Sequence, residues 1–434
     1  MDGTASTFLL RAIALYVPLA ALGAVWLWRR PGHRAPTGAF LATVWNVPTL
    51  LGLHVLASYV GWWQFEQGGA ALLGLPIDVY LGWIVLWGAL PAIALPKLPL
   101  PWLVVVALGF DLLYMPQAQP LLTLGSTWLI GEAVGAAVCL VPAQLLARWT
   151  AEDRHLGPRV ILQVIAFSGL LLGVIPVVAQ QQSGADLRPL FERPTWQLSL
   201  IAQALALPAF LGLSAVQEFA VRGGGTPLPF DPPQRLVTSG PYAYVANPMQ
   251  ASACLVLLAL AVVLTSGWLA VAALIDVVYG AGLAGWLEHN RMHTQFGADW
   301  LAYRRDVRVW WPRWRPYVAR VSAPDLLYVD TNCGPCAQLG RWLARQHLTG
   351  LRIVSAADYP LRDLDRLTFQ SATDAHEDEG VAALARALES IHLAWAFVGW
   401  TLRLPIVRPI AQLLVDAAGG GPHHVTTTRA RRAR

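Results

Sequence analysis

Charge is what this sequence has least of. Only 13% of its 434 residues are Asp, Glu, Lys or Arg, while 56% are apolar; ordinary soluble domains carry about 25% charged residues. So few charges cannot clothe a water-facing surface of this size, which excludes a soluble enzyme. Four cysteines exclude a disulfide-stapled secreted domain, and the apolar excess excludes a disordered regulator. The net charge of +5 is no nucleic-acid footprint, because the basic residues fall between apolar runs instead of along one soluble face. No repeat of fixed period is present. Nor is a cleavable leader expected: the first apolar run is long and is followed by Arg29-Arg30, not by a small-residue cleavage site. What the chain does have is 20 tryptophans and 31 prolines. Trp gathers at membrane interfaces, and Pro is commoner in membrane helices than in soluble ones. The expected class is an all-α polytopic membrane protein.

A helix crossing the hydrocarbon core needs about 20 mostly apolar residues. Nine stretches answer to that: 7–28, 39–60, 79–95, 98–115, 128–147, 160–179, 196–219, 249–266 and 268–287. The Pro96-Lys97-Leu98-Pro99 link is so short that the third and fourth must form a hairpin. Positive charge orients them. The odd-numbered loops hold Arg29, Arg30, Arg34, Lys97, Arg148, Arg154, Arg159, Arg222 and Arg235; the second and fourth loops hold no Lys or Arg, and in the sixth Arg188 and Arg193 are offset by Asp186 and Glu192. Odd loops are therefore expected on the cytoplasmic side, with the long C-terminal part there too, as in a bacterial-type inner-membrane protein.

After Pro324 charges become frequent. Residues 321–418 predict a small α/β domain with strand 326–330, helix 336–346, strand 352–355 and helix 381–391; residues 419–434 form a basic tail suited to anionic headgroups or simply to water. The expected plan is a six-span region 1–190, a membrane core 191–320, that α/β domain, and the tail.

The densest signal lies between the seventh and ninth spans, from Gly225 to Met249. Pro-rich sequence stiffens the loop, Gly240-Pro241 makes a turn, and Asn247 stands where a helix N-cap belongs, with Pro248 at the first helical position. A helix start at headgroup level favours a carboxylate or phosphate. The ninth span exits into Glu288-His289, and Gly297 punctuates the helix before Trp300 and Tyr303. If the last two spans are an antiparallel pair, Glu288 reaches the depth of the Asn247 helix start. A carboxylate and an anion-attracting helix end facing one cavity suit a zwitterionic ligand. Read singly, the loop is equally an interhelical connection and Glu288 a solvated interfacial acid.

Gly-Thr-Pro-Leu-Pro-Phe-Asp-Pro-Pro, then Leu-Val-Thr-Ser-Gly-Pro-Tyr-Ala-Tyr-Val-x-Asn-Pro-Met, then Glu288, Phe296-Gly297, Trp300 and Tyr303 resemble the isoprenylcysteine carboxyl methyltransferase and phospholipid methyltransferase group of membrane enzymes, over about 195–317. The resemblance implies S-adenosylmethionine as cofactor and a lipid or isoprenoid acceptor. It implies a cofactor site lined by Gly240, Pro241, Tyr242, Tyr244, Asn247, Pro248 and Glu288 and supported by Tyr303, with Glu288, His289 and Asn247 as the catalytic candidates. The sequence departs from the group twice: Ala246 stands where an Arg is usual, and His289 where a second Glu is usual. The first departure argues against a prenyl-cysteine carboxylate as acceptor. A neutral His289 could take a proton at pH 7, and methyl transfer from a sulfonium mainly needs two aligned reactants in a dry site.

Asn332-Cys333-Gly334-Pro335-Cys336 links a strand to a helix, the arrangement of a thioredoxin-like redox site, where a helix start stabilises one thiolate. Without a second Cys pair, zinc is the weaker reading. The domain resembles the DCC family of thiol–disulfide oxidoreductase-like proteins through Tyr328-Val329-Asp330-x2-Cys-x2-Cys and Trp400-x3-Leu404-Pro405. That implies Cys333 as the attacking thiol, Cys336 as the resolving one, and a thiol-bearing partner protein. Cys139 and Cys254 lie within spans as packing residues. In the first six spans the acids Asp111 and Glu132 stand out, since intramembrane acids usually face a partner or a polar cavity. Two rivals to the methyltransferase reading remain open: a membrane-anchored thiol redox protein with an inactive core, and a sterol-reductase-like enzyme.

Overall fold

The computed structural model describes residues 3–66, 68–185, 188–227, 233–319, 323–373 and 376–425. The Leu228–Pro232 part of the Pro-rich loop and residues 426–434 of the basic tail lie outside them. Among the described residues eight helices are long and apolar enough to cross a bilayer, and the chain is an integral membrane protein. The eighth expected span corresponds to Pro248–Val263, an apolar helix too short to count with the other eight.

The chain divides into two compact units, one formed mainly by residues up to Arg193 and the other mainly by those from Pro194 onward. The first holds α1 (Gly3–Arg29), α2 (Arg34–Val60), α3 (Ile77–Trp87), α4 (Ala89–Ala94), α5 (Leu100–Tyr114), α6 (Trp128–Gly135), α7 (Val141–Ala151), α8 (Leu156–Gly169), α9 (Ile175–Gln182) and the short α10 (Arg188–Phe191). Gly88 breaks the third span between α3 and α4. A turn at 95–99, where the Leu98 N–H donates to the Leu95 carbonyl at 3.2 Å, links α4 to α5. Leu50, Leu53, Trp63, Trp87, Leu103 and Leu140 form the centre of its apolar core. Two short ladders lie in the loops: β1 (Trp63–Phe65) pairs antiparallel with β4 (Leu122–Leu124), and β2 (Ala71–Leu72) with β3 (Leu75–Pro76). The β1–β4 pairing joins the second and fourth loops, the two that lack basic residues, so they lie on the same side. Asp111 and Glu132 are buried in this unit.

The second unit begins with α11 (Thr195–Glu218), which runs through a π-turn to Gly223. Then α12 (Pro248–Val263) and α13 (Gly267–Tyr279) form the antiparallel pair, bridged where Gln250 Nε2 donates to the Asp276 carbonyl at 2.9 Å. A π-turn at Gly280–Ala284 leads into α14 (Gly285–Asp306), which is broken at Gly297 (φ 52°, ψ −121°). The glycine thus separates two helical pieces, as its position in the sequence predicts.

The α/β domain belongs to the same unit. Its sheet contains β5 (Asp325–Val329), β6 (Leu351–Ser355), β7 (Thr368–Gln370) and β8 (Glu377–Glu379) in the order β6-β5-β7-β8. β5 and β6 are parallel, while β7 is antiparallel to both β5 and β8. The helices are α15 (Gly334–Arg345), α16 (Val381–Glu389), α17 (Leu393–Arg403) and α18 (Val407–Val415). The sequence reading located β5, α15, β6 and α16 and missed β7, β8, α17 and α18.

Candidate active site

Asn247 caps α12. Its Oδ1 accepts the Gln250 N–H at 3.4 Å, and its Nδ2 donates to Gln250 Oε1 at 2.9 Å. Both side-chain atoms of Asn247 are thus spent on Gln250, the residue at the third helical position. With that bond made, and with Pro248 lacking an N–H, fewer free donors remain at this helix start than its sequence suggests. Gln250 also reaches α13, and the π-turn lets the helices meet there: a Cβ on Gly280 would lie 1.9 Å from Gln250 Nε2. π-turns inside helices frequently mark functional sites.

Beside this start lies a cavity of about 60 Å³, lined by Ala246, Asn247, Gly280, Gly285, Glu288, His289, Trp300, Arg304 and Val309. Asn247 and Glu288 do share one space. Among the described residues the Glu288 carboxylate accepts no hydrogen bond, so it faces the cavity with its acceptor capacity unused. Trp300, buried, donates its indole N–H to His289 Nδ1 at 3.2 Å. The nitrogen that accepts this bond cannot also take a substrate proton, which counts against His289 as a general base in this arrangement. Arg304 stacks over the Trp300 ring at 5.7 Å and donates to the Val307 carbonyl.

The residues 240–244 have a different place. Gly240–Ala243 is a buried 3-10 turn. Gly240 is at φ +59°, and a Cβ there would stand 3.0 Å from the Glu218 side chain, so both conformation and space call for glycine. Tyr303, fully buried, donates its hydroxyl to the Tyr242 carbonyl at 2.8 Å. Tyr244 donates to the Glu389 carbonyl at 2.7 Å and meets Trp400 edge-on at 5.5 Å. Burial first, then Tyr303, pushes the Tyr242 phenol well above its ordinary range; burial likewise raises Tyr244. Of the sequence-predicted residues, Asn247, Glu288 and His289 line the cavity. Tyr303 packs behind Trp300 and holds the Tyr242 carbonyl of the 240–243 turn, Pro248 opens α12, and Tyr244 fastens that turn to the α/β domain.

The fastening centres on a buried charge cluster that sequence reading missed. Arg386 Nη1 and Nη2 donate to Glu218 Oε1 and Oε2 at 2.9 and 3.2 Å, and Arg403 Nη2 to Oε2 at 2.6 Å. Ser239 Oγ donates to Oε1 at 2.5 Å. Glu389 accepts from both arginines, and Asp378 accepts from Arg386 Nε at 3.0 Å. Burial alone would pull the Arg386 pKa down, but the carboxylates of Glu218, Glu389 and Asp378 outweigh it and hold the guanidinium firmly protonated.

In the α/β domain, Cys333 caps α15 from extended backbone and is buried, while Cys336 is half-buried; both are free thiols. Burial, and then the neighbouring Cys333 thiol, push Cys336 up to about 12. A protonated Cys336 suits a resolving thiol. An attacking Cys333 would first have to be uncovered.

Residues 201–299 match the family model described as phospholipid methyltransferase. The matched stretch carries most of the cavity lining, from Ala246 to His289, and stops just before Trp300, Arg304 and Val309. No curated protein and no solved structure matches the chain. This part of the molecule is thus similar to a family of membrane methyltransferases. The reading that missed Arg304 had a local signal available: it lies one helical turn after Trp300 on the same face of α14.

Proposed function

We propose that this protein is an S-adenosylmethionine-dependent methyltransferase acting on a lipid or isoprenoid-type acceptor at the cytoplasmic face of the membrane, with an attached thioredoxin-like thiol domain. The observation that carries the reading is the shared cavity of Asn247 and Glu288 inside the segment that matches the phospholipid methyltransferase model. The donor set fits the amino-acid end of the cofactor: the Glu288 carboxylate, which accepts no hydrogen bond among the described residues, would receive its ammonium, and Arg304 its carboxylate. The cavity, about 60 Å³, would hold the amino-acid end and not the whole cofactor. When bound, the cofactor supplies an electrophilic methyl group. The chain's own task is to orient it and exclude water, a task for Trp300 and the other side chains that line the cavity. Arg304 also brings to the cavity the cation that Ala246 does not provide.

The thiol reading of the C-terminal domain rests on the order strand β5, Cys333-Gly-Pro-Cys336, helix α15 and parallel strand β6. Titrating the purified protein with S-adenosylmethionine in a calorimeter tests the main reading. Binding by the native protein and its loss in Glu288→Gln is the expected result; no binding by the native protein, or equal binding by both, would end the proposal.

A further inference from the structure

The last helix of the α/β domain presents an apolar face that nothing in the described chain covers. Ile406, Ile410, Leu413 and Leu414 are between 55% and 78% exposed. Their spacing puts them along one side of α18 and its entry, as i, i+4, i+7 and i+8 positions require. The opposite side is anchored: Gln412 Oε1 accepts the Val381 N–H at 2.8 Å, and Asp416 is held by two bonds from Arg366. This helix is therefore fixed in place with its greasy side outward.

Its position relative to the bilayer follows from α11. Gln217 Nε2 donates to the Arg403 carbonyl at 3.0 Å, and Ser214 Oγ to the Trp400 carbonyl at 3.2 Å. Both donors sit on the span Thr195–Gly223, whose 29 residues make a helix of about 43 Å. The hydrocarbon core is about 30 Å thick, so the end turns of this span emerge into the headgroups, and Gln217 lies about 9 Å from its Gly223 end. Ile406 follows Arg403 by three positions, a reach of at most about 11 Å. The start of α18 is thus held near the hydrocarbon boundary.

We propose that α18 lies on the membrane as an interfacial helix, with Ile406, Ile410, Leu413 and Leu414 in the boundary between phospholipid headgroups and acyl chains. Such a helix buries its apolar side about 5–10 Å deep and adds electrostatic attraction to anionic lipid. The α/β domain then rests on the bilayer at two places, the α11 end and α18, and is not free to swing.

The test places the photoreactive residue benzoylphenylalanine at Ile410, at Leu414 and, as a control, at Leu361, which is 72% exposed on the same domain and not part of α18. The full-length protein is reconstituted in vesicles of phosphatidylethanolamine and phosphatidylglycerol, irradiated and analysed by mass spectrometry. All three positions are surface sites, so folding is expected to survive, and matching thermal unfolding curves check that. The expected result is a phospholipid adduct at 410 and 414, severalfold above that at 361. A cross-linked dimer from 410 or 414 would show instead that a second copy covers the face, and a cross-link to residues 426–434 that the tail covers it. Either of these, or no lipid adduct at all, overturns the proposal.

Discussion

Arg386 grips Glu218 with two guanidinium nitrogens, at 2.9 and 3.2 Å, and neither side chain is more than 3% exposed. One residue lies near the end of a membrane span and the other on a helix of the α/β domain. Their meeting makes the methyltransferase-like core and the thiol-bearing domain parts of one packed body. Because Ser239 and Gly240 press on the same carboxylate, this pair also sets the 240–243 turn.

Removing one partner of such a pair leaves a buried charge uncompensated, which costs about 3–5 kcal/mol. Arg386→Met should therefore lower the thermal unfolding temperature of the detergent-solubilised protein sharply, whereas Glu218→Met with Arg386→Met together should recover part of the loss. Equal unfolding of Arg386→Met and the native protein would show that the cluster contributes nothing to stability.

Asp378 gives the cluster a pH signature. Burial works to raise its carboxyl, but Arg386 and then Arg403 outweigh that and hold it below the ordinary carboxylate range. A depressed folded-state value contributes stability that is fully present above the unfolded value, about 3.9, and is lost as pH falls through the folded one. Unfolding curves measured from neutral pH down to acid should show a shallower acid limb for Asp378→Asn than for the native protein. An unchanged limb would contradict the assignment.

Much of this was legible beforehand, and what was not has identifiable reasons. The spans, the Asn247-Pro248 helix start and the break at Gly297 each depend on a local signal: apolar length, a cap, a positive-φ glycine. Glu218 and Arg386 are 168 residues apart, and no local pattern announces a contact over that distance. The three-residue strands at Trp63 and Leu122 are too short for alternation to register. Tyr242 and Tyr244 stand in a motif that implies a cofactor site, while the Tyr242 carbonyl accepts the Tyr303 hydroxyl and the Tyr244 hydroxyl donates to the Glu389 carbonyl.

A side chain at Gly280 is expected to push the Gln250 side chain aside. A methyl group would displace the end of Gln250, breaking its bonds to Asp276 and Asn247, each worth about 1 kcal/mol. Gly280→Ala should weaken S-adenosylmethionine binding and stability together. Adding Gln250→Ala should cost little more, because contacting residues are not additive. Full additivity in unfolding curves of the single and double variants would argue against the contact.

The Cys336 thiol, pushed up to about 12, should stay protonated near neutral pH and react slowly with iodoacetamide, with labelling rising steeply only toward alkaline pH. Peptide mass spectrometry after timed labelling reads this directly. Fast labelling of Cys336 at pH 7 would contradict it.

Transfer of an isotopically labelled methyl group tests the central claim most directly. The protein, reconstituted in a lipid extract and given S-adenosylmethionine labelled at its methyl, should yield lipid heavier by one labelled methyl, and Glu288→Gln should yield none. Lipid that stays unlabelled with the native protein, or labelling that Glu288→Gln leaves unchanged, would contradict the account.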